Sequence, residues 1–317
     1  MTPYWDCNFF TFFIVMIQRA FFFLTGHAEA LASDEIQIGV LSAVAISCGM
    51  IGPFLVLNRM TMLANSLSHT ILLGISLAAL AAGLLWGGEW FDITTLLAGS
   101  FIAALLTAFC TETLTRFFRL QEDASIGLVF TGLFALGITI VTLYLRDVHL
   151  GVEAVMGNAD ALQLSDIRLP ALLIGINGVI LFVFFKQFQL ASFDRSLAQT
   201  LGIPVGVFRY LLLFLTAATC IGAFRAVGVI LVLSLLTGPY LIARLFCCRL
   251  TALLVWTPVV GVASVCIGVA LSRHLLNVHG LALSTGGIVT GTIALIYIFV
   301  KIIFHFRKKW QRALFSV

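Results

Sequence analysis

Charge is what this chain has least of: 10% of its 317 residues are Asp, Glu, Lys or Arg, against 61% hydrophobic. A soluble domain carries about a quarter charged residues. Too few are present here to cover a water-facing surface, which excludes a soluble enzyme. None of the four lysines follows a glycine, so there is no GxxxxGK[ST] phosphate loop and the chain cannot be a P-loop ATPase by itself. G-x-S-x-G, H-E-x-x-H and paired carboxylates inside the apolar runs are missing as well, which leaves a membrane enzyme unsupported. The seven cysteines, at positions 7, 48, 110, 220, 247, 248 and 266, contain no C-x-x-C pair. They read as small apolar packing residues, not as disulfides or a thiolate metal site.

What the chain has in quantity is long hydrophobic sequence. The runs 38–57, 70–86, 93–115, 126–145, 169–185, 209–224, 226–243, 251–272 and 286–304 are each about as long as a helix needs to cross roughly 30 Å of hydrocarbon. They lack the ten-residue alternation of a barrel strand, and a helix satisfies its own backbone in lipid. The expected fold class is therefore all-α, a polytopic transmembrane bundle of about 8–10 spans. Residues 1–37 form an N-terminal segment, 38–304 the membrane domain and 305–317 a basic tail. Within the first, "FFTFFIVMIQRAFFFLT" (9–25) carries Gln18 and Arg19 mid-run. A central cation costs roughly 2.5–3.5 kcal/mol on insertion scales, so this segment is either an extra span or an interfacial helix. "GHAEALAS" imitates a cleavage site, yet no small-residue pattern follows directly behind a basic start; a signal peptide is the weaker reading.

Basic residues set the orientation. One set of loop flanks holds Arg59, Arg116, Arg119, Lys186, Arg195, Arg209, Arg244, Arg249, Lys301, Arg307, Lys308, Lys309 and Arg312; the other holds Arg146, Arg168, Arg225 and Arg273. With Arg19 set aside, thirteen against four places the first set and the C-terminus in the cytoplasm of a multi-pass membrane protein. The net charge of +4 is then a topology signal and calls for no nucleic acid. The tail "KIIFHFRKKWQR" is explained as a cytoplasmic stop and headgroup anchor.

Several polar groups invite a functional reading. The outer loop "RDVHLGVEAVMGNADALQLSDIR" brings Asp147, His149, Glu153, Asp160 and Asp166 together, a set able to meet a cation, although a solvated acidic loop explains it too. His27, His274 and His279 fall on the same side. His69 sits in the apolar "SLSHTILLGI", where an ionisable group is a functional candidate, with a hydrogen-bonded structural histidine as the alternative. Glu112 precedes Arg116 by four residues, an ordinary helical ion pair. "IGPFLVLNRM" (51–60) and "TGPYLIARLF" (237–246) echo each other. Pro53 and Pro239 could mark broken helices at a transport site, or kinks, or chance.

"SFDRSLAQTLGIPVGVFRY" (192–210) lies between two apolar runs. Ser192 or Asp194 can cap a helix start, and Gly202 with Pro204 supplies a stop, leaving about two turns. Phe193, Leu197 and Leu201 recur at i, i+4 and i+8 as an apolar stripe. So short a helix needs a surface to pack on. It is either a cytoplasmic docking element for a soluble partner or a helix resting on lipid headgroups.

"FDRSLAQTLGIP…FRYLLLFLTAATCIGAFRAVGVILVLSLLTGPYLIARL" resembles the coupling region and following helices of the permease subunits of bacterial zinc, manganese and iron ABC importers, the ABC-3 type. Asp194, Ala198, Leu201 and Gly202 match the acidic residue and Ala-x-x-Leu-Gly of that family. Val227, Gly228, Leu231 and Val232 match its Val-Gly-x-x-Leu-Val core, and Pro239 and Ala243 its Pro-x-x-x-Ala end. "GPFLVLNRMTMLANSLSHTILLGI", "EDASIGLVFTGLFALGITI" and "EAVMGNADALQLSDI" agree as well, so that about residues 40–245 are covered. Two departures stand out. Asn65 precedes His69 where the family commonly has Asp, and "NVHG" (277–280) replaces an acidic residue and Pro or Ser before Gly.

The resemblance implies a non-enzymatic transport subunit in the bacterial inner membrane. An extracytoplasmic metal-binding protein would deliver Mn, Fe or Zn, a second permease chain, identical or paralogous, would complete the path, and a separate ATPase subunit would spend the ATP. It implies that Asp194, Leu197, Ala198, Leu201 and Gly202 couple to that ATPase. His69 is the first candidate to face the path, with His149, His274 and His279 at the outer mouth. Pro53, Gly228 and Pro239 are the helix-break or packing positions. An importer of a metal chelate or small solute, a self-sufficient ion-coupled carrier, and a membrane scaffold are the competing readings.

Overall fold

A computed structural model describes Tyr4 and residues 8–24, 32–86, 93–144 and 159–314. Its helices are α1 (Phe9–Leu24), α2 (Ser33–Leu57), α3 (Thr61–Trp86), α4 (Ile93–Phe117), α5 (Glu122–Tyr144), α6 (Arg168–Val183), α7 (Phe185–Phe193), α8 (Arg195–Thr200), α9 (Val205–Val227), α10 (Val229–Phe246), α11 (Leu250–His279) and α12 (Thr285–Leu314). A 3₁₀ turn, Leu164–Ile167, leads into α6. No strand occurs among the described residues. Among the described residues nine helical segments, one of them the 3₁₀ turn together with α6 (Leu164–Val183), are long and apolar enough to cross a membrane, and the chain is an all-α polytopic membrane protein. At 16 residues, α1 spans about 24 Å and falls short of the hydrocarbon thickness. Arg19, the awkward cation in its run, sits 2.5 Å from Glu35, so the charge is paired, and Tyr4 donates to the same carboxylate at 2.9 Å.

The chain divides into two compact units, one of residues 1–53, 158–175 and 230–317, the other of 54–157 and 176–229. In the first, α2, α10, α11 and α12 meet through small residues. A Cβ on Gly52 would strike the Leu236 carbonyl, and one on Gly268 would lie 2.8 Å from the Val289 Cα. In lipid there is no hydrophobic drive between apolar helices, so close backbone approach supplies the packing energy. Polar pairs pin one end of this unit: Arg273 Nε donates to Asp34 Oδ1 at 2.6 Å, and Gln37 Nε2 to the Ala159 carbonyl at 2.6 Å. Asp160 accepts from the Thr285 hydroxyl.

In the second unit, α3 is the hub. Gly137 of α5 packs against the backbone of Leu73, where a Cβ would come within 2.9 Å of the Leu73 nitrogen. Thr107 of α4 donates to Thr70 at 2.8 Å. Asn177 and Thr219, both fully buried, share a hydrogen bond of 2.9 Å. The Asn177 amide thus finds a partner inside the bundle, where lipid would supply none, while the Thr107 and Thr70 hydroxyls also bond carbonyls of their own helices.

Candidate functional site

The loop between α6 and α9 is built by one residue with two jobs. Asp194, in extended conformation (φ −142°, ψ 97°), closes α7 with its backbone N–H on the Leu190 carbonyl. Its side chain then opens α8 by accepting the Leu197 N–H at 3.0 Å and the Ser196 hydroxyl at 2.8 Å. Those donors, the Leu197 N–H foremost, hold the carboxyl below its ordinary range. Ser192 is not the cap; its oxygen accepts from Asn58 Nδ2 at 2.9 Å. Phe193, expected on the short helix, is the last residue of α7, because the extended Asp194 separates the two helices.

Gly202 ends the element at φ +76°. The Ile203 N–H reaches the Ala198 carbonyl at 2.9 Å and the Gly202 N–H the Gln199 carbonyl at 3.0 Å, the paired bonds of a Schellman termination. Six residues cannot hold a helix by propensity; both caps and the burial of Ala198 do. Ala198 is 0% exposed, whereas Phe193 is 61%, Leu197 47% and Leu201 61% exposed. The alanine therefore seats the helix on its own unit, and the large apolar side chains stand away from it.

The mount beneath is ionic. Glu112, nearly fully buried, pairs with Arg116 one helical turn away and with Arg209 of α9 at 3.1 Å. Arg209 also reaches Glu122 of α5 at 2.6 Å. Only the first of these pairs is legible as an i, i+4 spacing. Arg209 and Glu122 lie 87 residues apart, and no local pattern announces them.

His69 is half-buried on α3 with its ring 5.1 Å from that of Phe130 and 5.6 Å from that of Phe134. Asn65 lies one turn earlier on the same helical face and is exposed. In the other unit, His279 is the exposed last residue of α11. Its ring is 6.3 Å from that of His274, and Asn277 donates to the Tyr4 carbonyl at 3.1 Å. His149 lies outside the described residues, as do His27, Asp147 and Glu153. The two loop carboxylates that are described serve the fold: Asp160 as above, and Asp166 accepts the Gln163 N–H at 2.9 Å to form the 3₁₀ turn. Among the described residues no group of three or more His, Cys, Asp or Glu is placed to hold a metal ion. Helices α2 and α10 run unbroken through Pro53 and Pro239. Gly228, at φ +82°, is the actual interruption, between α9 and α10.

Residues 34–304 match the model of the ABC 3 transport family. A probable metal transport system membrane protein of Chlamydia muridarum is 38% identical over 300 residues, covering 94% of this chain and 93% of the relative. The manganese transport system membrane protein MntD of Bacillus subtilis is 37% identical over 246 residues, 74% of this chain and 80% of the relative. In fold, the chain is similar to a solved structure of PsaBC from Streptococcus pneumoniae in complex with Fab, with a TM-score of 0.67 at 23% identity over 83% of this chain and 89% of that one.

Proposed function

The chain belongs to the ABC 3 transport family, and from that premise we propose that it is the membrane-spanning permease subunit of an importer of divalent manganese, iron or zinc. A binding protein outside the membrane delivers the ion, a second permease chain completes the path, and a separate ATPase subunit supplies the energy. The metal transport named for the relatives supports the cargo. The observation that carries the mechanism is the exposed apolar set of Leu197 and Leu201, on α8 and its C-cap, with Phe193 at the end of α7 beside them, on a helix capped at both ends. Such a set fits a groove on a soluble partner, and a capped helix moves as one body. Closure of an ATPase dimer would displace α8 and bias the permease between outward and inward states.

The contacts inside each unit agree with the alternation of the spans. Arg273 meets Asp34, and Asp160 meets Thr285 and Gln37, all on one side by the charge count; Asn58 meets Ser192, and Arg209 meets Glu112 and Glu122, all on the other. His69 is the residue we place on the ion path, because it is half-buried and its only described ring partners are apolar.

The test is to isolate the tagged chain in mild detergent, identify its companions by mass spectrometry, and repeat with Leu197→Asp. A P-loop ATPase should accompany the native chain and be lost from the variant. A chain that emerges alone, in a preparation that keeps other membrane complexes whole, overturns the reading in favour of a self-sufficient carrier. Reconstituted with its partners, His69→Ala should lower uptake of the bare ion; unchanged uptake and affinity would remove His69 from the path.

A further inference from the structure

The short helix does not lie flush on its unit. Between α8 and the adjoining ends of α4, α7 and α9 is a cleft of about 260 Å³, into which Arg116, Arg195, Arg209, Asn58 and Gln199 contribute lining atoms and which no carboxylate among the described residues lines. We propose that this cleft binds a phosphate-bearing anion, clamped between the short helix and the ion-paired base of its unit.

Three observations point to an anion. Glu112 and Glu122 offset two of the three guanidinium groups, and Arg195 forms no ion pair among the described residues, so one positive charge is left over. Arg209 Nε is buried without a hydrogen-bond acceptor, although Glu112 Oε2 is 3.1 Å away; its N–H is not aligned on that oxygen. A buried donor left unmade costs free energy, and a small turn of the guanidinium towards an oxygen in the cleft would satisfy it. Gln199, exposed on α8, adds a neutral amide donor, whereas the Asn58 amide is already given to the Phe54 carbonyl and the Ser192 hydroxyl.

The chemistry favours phosphate. Guanidinium forks donate in parallel to tetrahedral oxygens, and three around one cleft suit a group with several equivalent acceptors. Size limits the ligand, because pockets for drug-sized molecules begin at about 300 Å³, which leaves a nucleotide too large and a headgroup or free phosphate of fitting size. Phe188, Phe208 and Leu212 form an apolar part of the wall, suited to the glycerol end of a phospholipid. The inference rests on the geometry of one unit and is independent of what the protein transports. Its consequence is that an occupied cleft braces Arg195 of α8 against Arg116 of α4 and Arg209 of α9.

The experiment uses the purified complex after delipidation, titrated with phosphatidylglycerol, phosphatidylcholine and inorganic phosphate and read by native mass spectrometry and by thermal stability. Phosphatidylglycerol should bind and protect where phosphatidylcholine does not, and Arg195→Gln should weaken it by about tenfold. Arg195 is exposed, so this variant leaves folding intact, and circular dichroism checks that it has. Equal protection by inorganic phosphate, lost in the same variant, assigns the site to free phosphate within the proposal. Equal retention of both lipids, or anion binding indifferent to Arg195→Gln and Arg116→Gln alike, overturns it, the first as an ordinary lipid shell. Absence of any anion binding overturns it as well and leaves the arginines to a carboxylate of a protein partner.

Discussion

Asp194 shows how much of the element depends on one side chain. Its carboxyl takes the donors that start α8 while its backbone ends α7. Because those donors favour the charged form, the folded pKa lies below the unfolded one. The cap's contribution is then complete above the ordinary carboxylate range of about 4 and is lost only as pH falls through the lowered folded value. Recovery of the ATPase with this chain should accordingly be flat between roughly pH 5.5 and pH 8. Asp194→Asn, which keeps an accepting oxygen, should behave as the native chain, while Asp194→Ala should lose the partner across the whole range. A native chain that releases its partner at the acidic end while Asp194→Asn retains it would contradict this assignment. This site was legible because a capping acid, an Ala-x-x-Leu-Gly and a following proline are all local. The error at Phe193 came from extending an i, i+4 stripe through a residue whose backbone is extended.

At the scale of elements, small residues decide which helices touch. Gly52 and Gly127 are both helical glycines in apolar spans, and their sequence surroundings do not separate them. A Cβ on the first would meet the Leu236 carbonyl, while one on the second would meet nothing within 4 Å. Gly52→Val should therefore lower stability by about 1–3 kcal/mol, the usual cost of overpacking, seen as reduced yield and an earlier thermal transition in detergent. Gly127→Ala should leave both unchanged. Similar losses for the two variants would refute the crossing of α2 and α10. Charge follows the same logic: the pairing of Glu112 with Arg116 is written in their spacing, but Arg209 and Glu122 converge on it only because α4, α5 and α9 pack side by side. The two carboxylates spare the mostly buried Arg209 from remaining an unpaired charge, which would cost several kcal/mol.

For the whole molecule, orientation is the property that composition reaches most directly. Cys248, between α10 and α11, is exposed and lies among basic residues assigned to the cytoplasmic side. A membrane-impermeant maleimide should label it in inside-out vesicles and leave it unlabelled in intact right-side-out cells, after the other cysteines are replaced by serine or alanine. Labelling from the outside would invert the topology and move α8 away from any cytoplasmic ATPase.

The sequence by itself determined that the chain lives in a membrane as a bundle of about nine long helices and that one short helix stops at Gly202, and its charge bias set an expected orientation. These follow from hydrophobic run length, charge bias and capping chemistry, all of which act over a few residues or sum over many. Only the tertiary structure decided that Arg19 is neutralised by Glu35, that Arg273 is held by Asp34, that Pro53 and Pro239 leave their helices whole while Gly228 does not, and that the apolar stripe of α8 faces away from the unit carrying it. Those outcomes depend on which surfaces meet. In an apolar chain, where many pairings bury the same hydrocarbon, the choice falls to close glycine contacts and to the few polar groups that must find partners.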